Sequence, residues 1–278
     1  MIGFFSVVLG GLTIVVVVIL CKNQSAEIKS FFLPGLILKL LSGITLGLVY
    51  TYYYPVGDTF GFFSDAQVLV DLARSNPGEY LSFLWQGDGS EAWASSLINS
   101  QIRSLFLVKV LSLITMFSFG NYWVASLYFS LISFVASWYV IRKLILHFPK
   151  GKWAAVVAFL FVPSFVFWSS GIVKESLAMA ALMFLSGFYI ASLRKDKLAI
   201  WEWITALIAL IFLWNLKYYW AAIFVPVALT TLFFVRWLLP RIPKLRIGFE
   251  YILWLAVFCS VMLLASNIHP NFYLSRFL

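Results

Sequence analysis

Residues 153–190 read WAAVVAFLFVPSFVFWSSGIVKESLAMAALMFLSGFYI. Apart from the adjacent Lys174 and Glu175, the stretch carries no charge. On either side of that pair the chain is apolar for about the length that crosses a bilayer as a helix, roughly 17–25 residues. The pattern predicts two spans, 153–169 and 177–193, joined by a short polar turn. Pro163 ends or kinks the first, because its ring removes an amide donor and clashes with the preceding turn.

The rest of the chain repeats this pattern. It is 63% hydrophobic and 11% charged, with a mean hydropathy of +0.96. A soluble domain cannot hide that much apolar side chain, because its surface is too large for its volume. The fold class expected is all-α, a polytopic transmembrane helical bundle with about 8–9 hydrophobic segments. These are 2–20, 31–53, 121–141, 153–169, 177–193, 199–216, 219–238 and 249–266, with a shorter segment at 103–118. Residues 1–278 form a single integral membrane domain in this reading. The 12 Trp suit interfacial belts.

The net charge of +9 does not point to nucleic acid. The basic residues sit in short loops between apolar runs, where orientation signals belong. Cys21 and Cys259 lie at or inside spans, far apart, with neither metal spacing nor a disulfide framework. The N-terminus lacks a basic leader and a small-residue cleavage site, and reads as a retained span.

Lys and Arg also set the orientation. The loops RKLILHFPKGK (142–152), RKDK (194–197) and RWLLPRIPKLR (236–246) are separated by pairs of spans and fall on one side, the cytoplasm. CKNQSAEIKS (21–30) belongs with them. The long polar stretch 54–102 then lies outside as a non-cytoplasmic loop. It holds Asp58, Asp65, Asp71, Glu79, Asp88 and Glu91 against a single Arg74. The count closes if 103–118, which carries Lys109 at mid-length, is a partial or in-plane segment on the outer side, because a charge is costly in lipid; the alternative is an inverted N-terminal pair, which puts the acidic loop in the cytoplasm. Turns SSGIVKES and NLKYYW face outward with the acidic loop.

Asp58 follows a span ending in YTYYYPV, where tyrosines mark the interface. It is either a base at the membrane surface or, with Thr59, a helix cap. From Ser64 an in-plane juxtamembrane helix is expected, with Val68, Leu69 and Leu72 on one side. The remaining acids of the loop, Asp65 included, read as solvated. Lys174 and Glu175 open a helix. Glu suits the positive end of the helix dipole and Lys does not, so Lys174 either meets an outside anion such as a phosphate or snorkels to water beside Glu175. Lys217, flanked by Tyr218, Tyr219 and Trp220, is a third outer-side cation or an aromatic-belt anchor. His147 and His269 are isolated. No phosphate-binding loop, dinucleotide fingerprint, zinc signature or catalytic triad is present, and no cofactor is implied.

The order of features resembles the GT-C glycosyltransferases, above all their protein-mannosyltransferase-like branch. The matching order runs over roughly 31–195. It comprises a span, an outward loop opening with Asp58, an amphipathic helix, FSFG, YVIRKL, FVPSFVFWSSG and KES. The resemblance implies transfer of a sugar from a polyprenyl-phosphate carrier, a lipid-linked donor, to a glycan, lipid or protein acceptor on the non-cytoplasmic face. It implies a multi-pass protein integral to the cytoplasmic (inner) membrane, with membrane lipid as its surroundings. It makes Asp58 the base or acceptor-orienting residue, where many relatives carry a second acid at the position of Thr59. Arg103, Lys174 and Lys217, with Glu175 opening the helix beside Lys174, are the residues expected at the carrier phosphate. The chain is short for this family and reads as a truncated or a minimal version.

Two other classes fit the same hydropathy. One is an envelope polysaccharide polymerase, which joins lipid-linked repeat units. The other is a non-enzyme: a flippase for a lipid-linked substrate, which needs charges inside its spans facing a cavity, or a membrane scaffold.

Overall fold

A computed structural model describes residues 2–21, 26–54, 57–87, 89, 91–242 and 247–266. Asp88, Ser90 and the C-terminal stretch with His269 lie outside the described residues. All regular structure among them is helical: α1 (Ile2–Cys21), α2 (Lys29–Tyr52), α3 (Asp58–Ser75), α4 (Pro77–Gln86), α5 (Ile102–Phe117), α6 (Tyr122–His147), α7 (Lys152–Leu160), α8 (Pro163–Trp168), α9 (Lys174–Leu193), α10 (Ile200–Phe233) and α11 (Ile247–Ser266). Five are long and apolar enough to cross a membrane: α1, α2, α6, α9 and α10 with its extension to Arg241.

Helix α6 is the axis of the bundle, 78% buried over its apolar window. Its serines explain how neighbours approach it. Ser126 and Ser130 face α2 at Gly43, where an added Cβ would fall 2.2 Å from Ser130 Oγ. Ser137 reaches Met183 Sδ of α9 at 3.2 Å. Small residues permit such close crossings: Ser130 donates to Ser126 O and Ser137 to Ser133 O within the helix, while Ser126 bonds across to α2. Phe32, Phe134 and Trp138 pack edge-on and stacked between α2 and α6.

Three expected spans, 153–169, 199–216 and 219–238, differ in the structure. The span 153–169 is two short helices, α7 and α8, separated at Phe161–Val162. Pro163 opens α8, and the Phe161 and Val162 amides both fall back on Val157 O. At 1.5 Å per residue the pieces reach only about 14 and 9 Å. The segment 103–118 is α5, with Ser104 touching Lys174 at its start and Tyr122 following at its end. Lys109 is met by protein: it donates to Gly87 O at 2.6 Å and sits over the Phe83 ring. The segments 199–216 and 219–238 run together as α10, broken only at Lys217 (φ −142°, ψ 65°). Glu202 meets Lys143 at 3.2 Å, Lys217 meets Glu175 at the far end of α9, and Arg236 donates to Ser192 O at 2.6 Å. Both ends of the α10 run therefore lie at the C-terminal end of α9.

That end carries the basic loops together. Lys143 and His147 bond Asp196, Tyr139 donates to Glu202 at 2.7 Å, and Lys152 faces Glu27 at 3.7 Å. The acidic loop's helices α3 and α4, and α5 after them, lie toward the opposite end, where Ser104 meets Lys174.

Candidate functional site

Gly57 starts the site. A Cβ there would lie 1.9 Å from the Tyr50 ring and 2.9 Å from Tyr54 O, so any larger residue would force the ring and the local backbone to shift. Gly57 is the N-cap, and Asp58 is the first helical residue, exposed, with no capping hydrogen bond. The expected Asp58–Thr59 cap is therefore not formed. Thr59 is fully buried instead, its hydroxyl 2.9 Å from Tyr122 OH at the start of α6. That bond, with Phe60 stacked on Tyr122, pins α3 across the top of the bundle.

Lys174 opens α9. Its Nζ donates to Ser104 Oγ at 2.8 Å and lies 5.1 Å from the Phe62 ring centroid. Asp58, Glu175, Lys217 and Arg103 all act electrostatically on that ammonium, and Asp58 and Glu175 both act on Tyr50. Glu175 does not pair with Lys174. It accepts from Lys217 Nζ at 2.5 Å, so Lys217 is held by a carboxylate as well as by the rings of Tyr219 and Trp220. Arg103 stacks 5.4 Å over Tyr218. The five residues named from the sequence thus come from four helices to one region. Three cations face two carboxylates, which leaves a local excess of positive charge.

The sequence places the link between α8 and α9 in an outward-facing polar turn. Ser169, Ser170, Gly171, Ile172 and Val173 are all buried. Non-helical backbone at such depth must have its polar groups met by protein. Gly171, at φ +70°, donates to Ser130 Oγ, and Ser169 and Ser170 give their hydroxyl protons to Phe165 O and Val166 O.

The structure corrects the reading of Asp65 and adds Lys39, which the sequence reading passes over. Asp65, taken as solvated, is 1% exposed and accepts from Ile98 N, Asn99 N and Asn99 Nδ2 at 2.8–2.9 Å. It latches the segment that leads into Arg103 and Ser104. Nothing in the local pattern separates it from the other loop acids. Lys39 is 2% exposed in the middle of α2, against Ser169 Oγ and the Phe165 ring. A lone charge inside an apolar run was the available signal.

Below α5 a groove of about 770 Å³ runs between α1, α6, α9 and α10. Leu177, one turn from Lys174, lines it near the top, and Trp201 lines it near the basic end. Its lining is almost wholly apolar, and Phe117, Ile208 and Trp201 on its rim are exposed. Among the described residues no three His, Cys, Asp or Glu side chains are grouped to hold a metal. No family model, no curated protein and no solved structure matches this chain.

Proposed function

We propose that the chain is a membrane glycosyltransferase that moves a sugar from a polyprenyl-phosphate carrier to an acceptor on the non-cytoplasmic face. The observation that carries the reading is the cluster itself: Lys174, Lys217 and Arg103 beside an exposed Asp58, at the end of the bundle opposite the basic loops. In this reading the hairpin in α10 counts as two crossings, and α7 with α8 as a broken one. With α1, α2, α6, α9 and α11 this approaches the 8–9 segments expected, and the basic loops face the cytoplasm.

The chemistry follows from the charges. The Asp58 carboxylate takes the proton of an acceptor hydroxyl as its oxygen attacks the anomeric carbon. The bond from that carbon to the phosphate oxygen breaks, and the electron pair leaves with the phosphate. Lys174, Lys217 and Arg103 stabilise the charge that develops there. The hydrocarbon tail lies in the groove that begins one turn below Lys174. A flippase is less well supported, because Lys39, buried within a candidate span, packs on Ser169 rather than lining the groove.

The experiment is transfer from a radiolabelled polyprenyl-phosphate sugar in membranes carrying Asp58→Asn. The side chain keeps its size and gives up no capping bond, so protein level should hold. Transfer should fall by roughly 10²–10⁴-fold, the usual contribution of a general base. Transfer at the wild-type rate would remove Asp58 from the chemistry and leave the scaffold reading in its place.

A further inference from the structure

Lys39 stands buried in the middle of the α2 candidate span. Among the described residues its partners are the Ser169 hydroxyl and the Phe165 ring, and no carboxylate forms an ion pair with it. A cation at such depth is costly, and an apolar side chain of similar length is often neutral or stabilising in its place. What the ammonium does hold is the side-chain hydroxyl of one residue, Ser169. Ser169 is the first residue of the buried link, just past the C-terminal end of α8. There the carbonyls of Phe165 and Val166 are already taken by Ser169 and Ser170. Five residues further on, the link delivers Lys174 and then Glu175 into the site.

The rest of the link is tied down on other sides. Gly171 rests on Ser130 of α6 and would meet Leu46 of α2 if it carried a Cβ. Ser126 donates to Gly43 O of α2 at 3.1 Å. Lys39 lies one helical turn before Gly43, on the same face of α2. Among the described residues it is the only charged side chain seen to hydrogen-bond the link, and it does so at the α8 end.

The geometry points to Lys39 as a positioning residue: its buried ammonium fixes the Ser169–Val173 link, and through it the placement of Lys174 and Glu175 at the donor phosphate. This rests on the glycosyltransferase reading only for the word donor. The placement of Lys174 can be measured without any transfer reaction.

Two readouts test it on the full-length protein. The first is thiol reactivity: Lys174→Cys, in a background without Cys21 and Cys259, is titrated with a water-soluble methanethiosulfonate reagent. Adding Lys39→Met should change the rate about fivefold or more, and adding Lys39→Arg should change it less. Ser169→Ala, which removes the acceptor and leaves Lys39 in place, should give a change of the same sign. The second readout is transfer with Lys174 intact. Lys39→Met should raise the KM for polyprenyl-phosphate sugar roughly tenfold, the loss expected when a charge-assisted contact no longer presents its group, with kcat within about twofold. Its thermal midpoint should be equal to or above wild type. An unchanged thiol rate in folded Lys39→Met and Ser169→Ala would overturn the inference. So would a lowered midpoint with kcat falling in step, which is the mark of a residue needed only for folding. Altered thiol rates in a protein that transfers no sugar in any form would uphold the positioning and sink the glycosyltransferase reading.

Discussion

Asp65→Asn removes a charge from a site that the sequence reads as surface. The carboxylate is 1% exposed, with Oδ1 on Ile98 N at 2.8 Å and Oδ2 on Asn99 N and Nδ2, both at 2.9 Å. Asparagine offers one acceptor oxygen and a donor in place of the other. The less costly orientation keeps both Asn99 donors and turns an N–H against Ile98 N. One charge-assisted bond is lost, at about 1.5–3 kcal/mol, and the remaining two weaken to neutral strength. Relief of the buried charge offsets part of this. The net is roughly 2–4 kcal/mol, which is about a 30- to several-hundred-fold rise in opening of the 91–101 segment. Limited proteolysis with a broad-specificity protease reads that equilibrium when cleavage is slow relative to closing. Because the same segment leads into Arg103 and Ser104, donor KM should rise as well. Cleavage of the variant at the wild-type rate would refute the latch and return Asp65 to the solvated acids of the loop.

Lys174→Ala should raise donor KM roughly tenfold or more, and Lys174→Arg should retain part of the affinity, since a charge-assisted contact contributes on the order of 1.5–3 kcal/mol. An unchanged KM in steady-state transfer would leave Lys174 only its bond to Ser104. Glu175→Gln leaves the local excess of positive charge larger and releases Lys217, so donor KM should fall a few-fold, while Lys217→Met should raise it. The ion pair is partly exposed at Glu175, 38% by side chain, so stability should change by no more than about 1 kcal/mol in either variant. Equal shifts of the same sign in the two would contradict the charge argument. Single cysteines at Ser100 and Lys195, both exposed, should react with an impermeant thiol reagent from opposite sides of the membrane. Labelling of both in intact cells would overturn the placement of the two ends.

The sequence alone determined the solvent of this protein. Apolar runs of 17–24 residues cannot be hidden in water, so the class of fold is legible from hydropathy. The basic loops fall together at one end of the bundle in the structure, as their spacing requires. Pro163 marked a break, because the loss of an amide donor is a local effect of one residue. Whether that break leaves a kinked span or two separate helices depends on what packs against it, and at the break Leu160 fits against Gly35 and Phe161 meets Phe31, both of α2. The pairing of Lys217 with Glu175 rather than Glu175 with Lys174 was likewise closed to sequence. Neighbours at i and i+1 on a helix point in different directions, while a hairpin 42 residues away returns a side chain to the carboxylate. Asp65 and Lys39 make the same point from opposite sides. One acid among several in a polar loop becomes a buried latch because Ile98 and Asn99 arrive from a distant turn. One lysine in an apolar run becomes tolerable because a broken helix brings Ser169 to meet it. Local chemistry sets which residues can be apolar, turned or charged; only the long-range packing sets which charges are paired, buried or left facing a ligand.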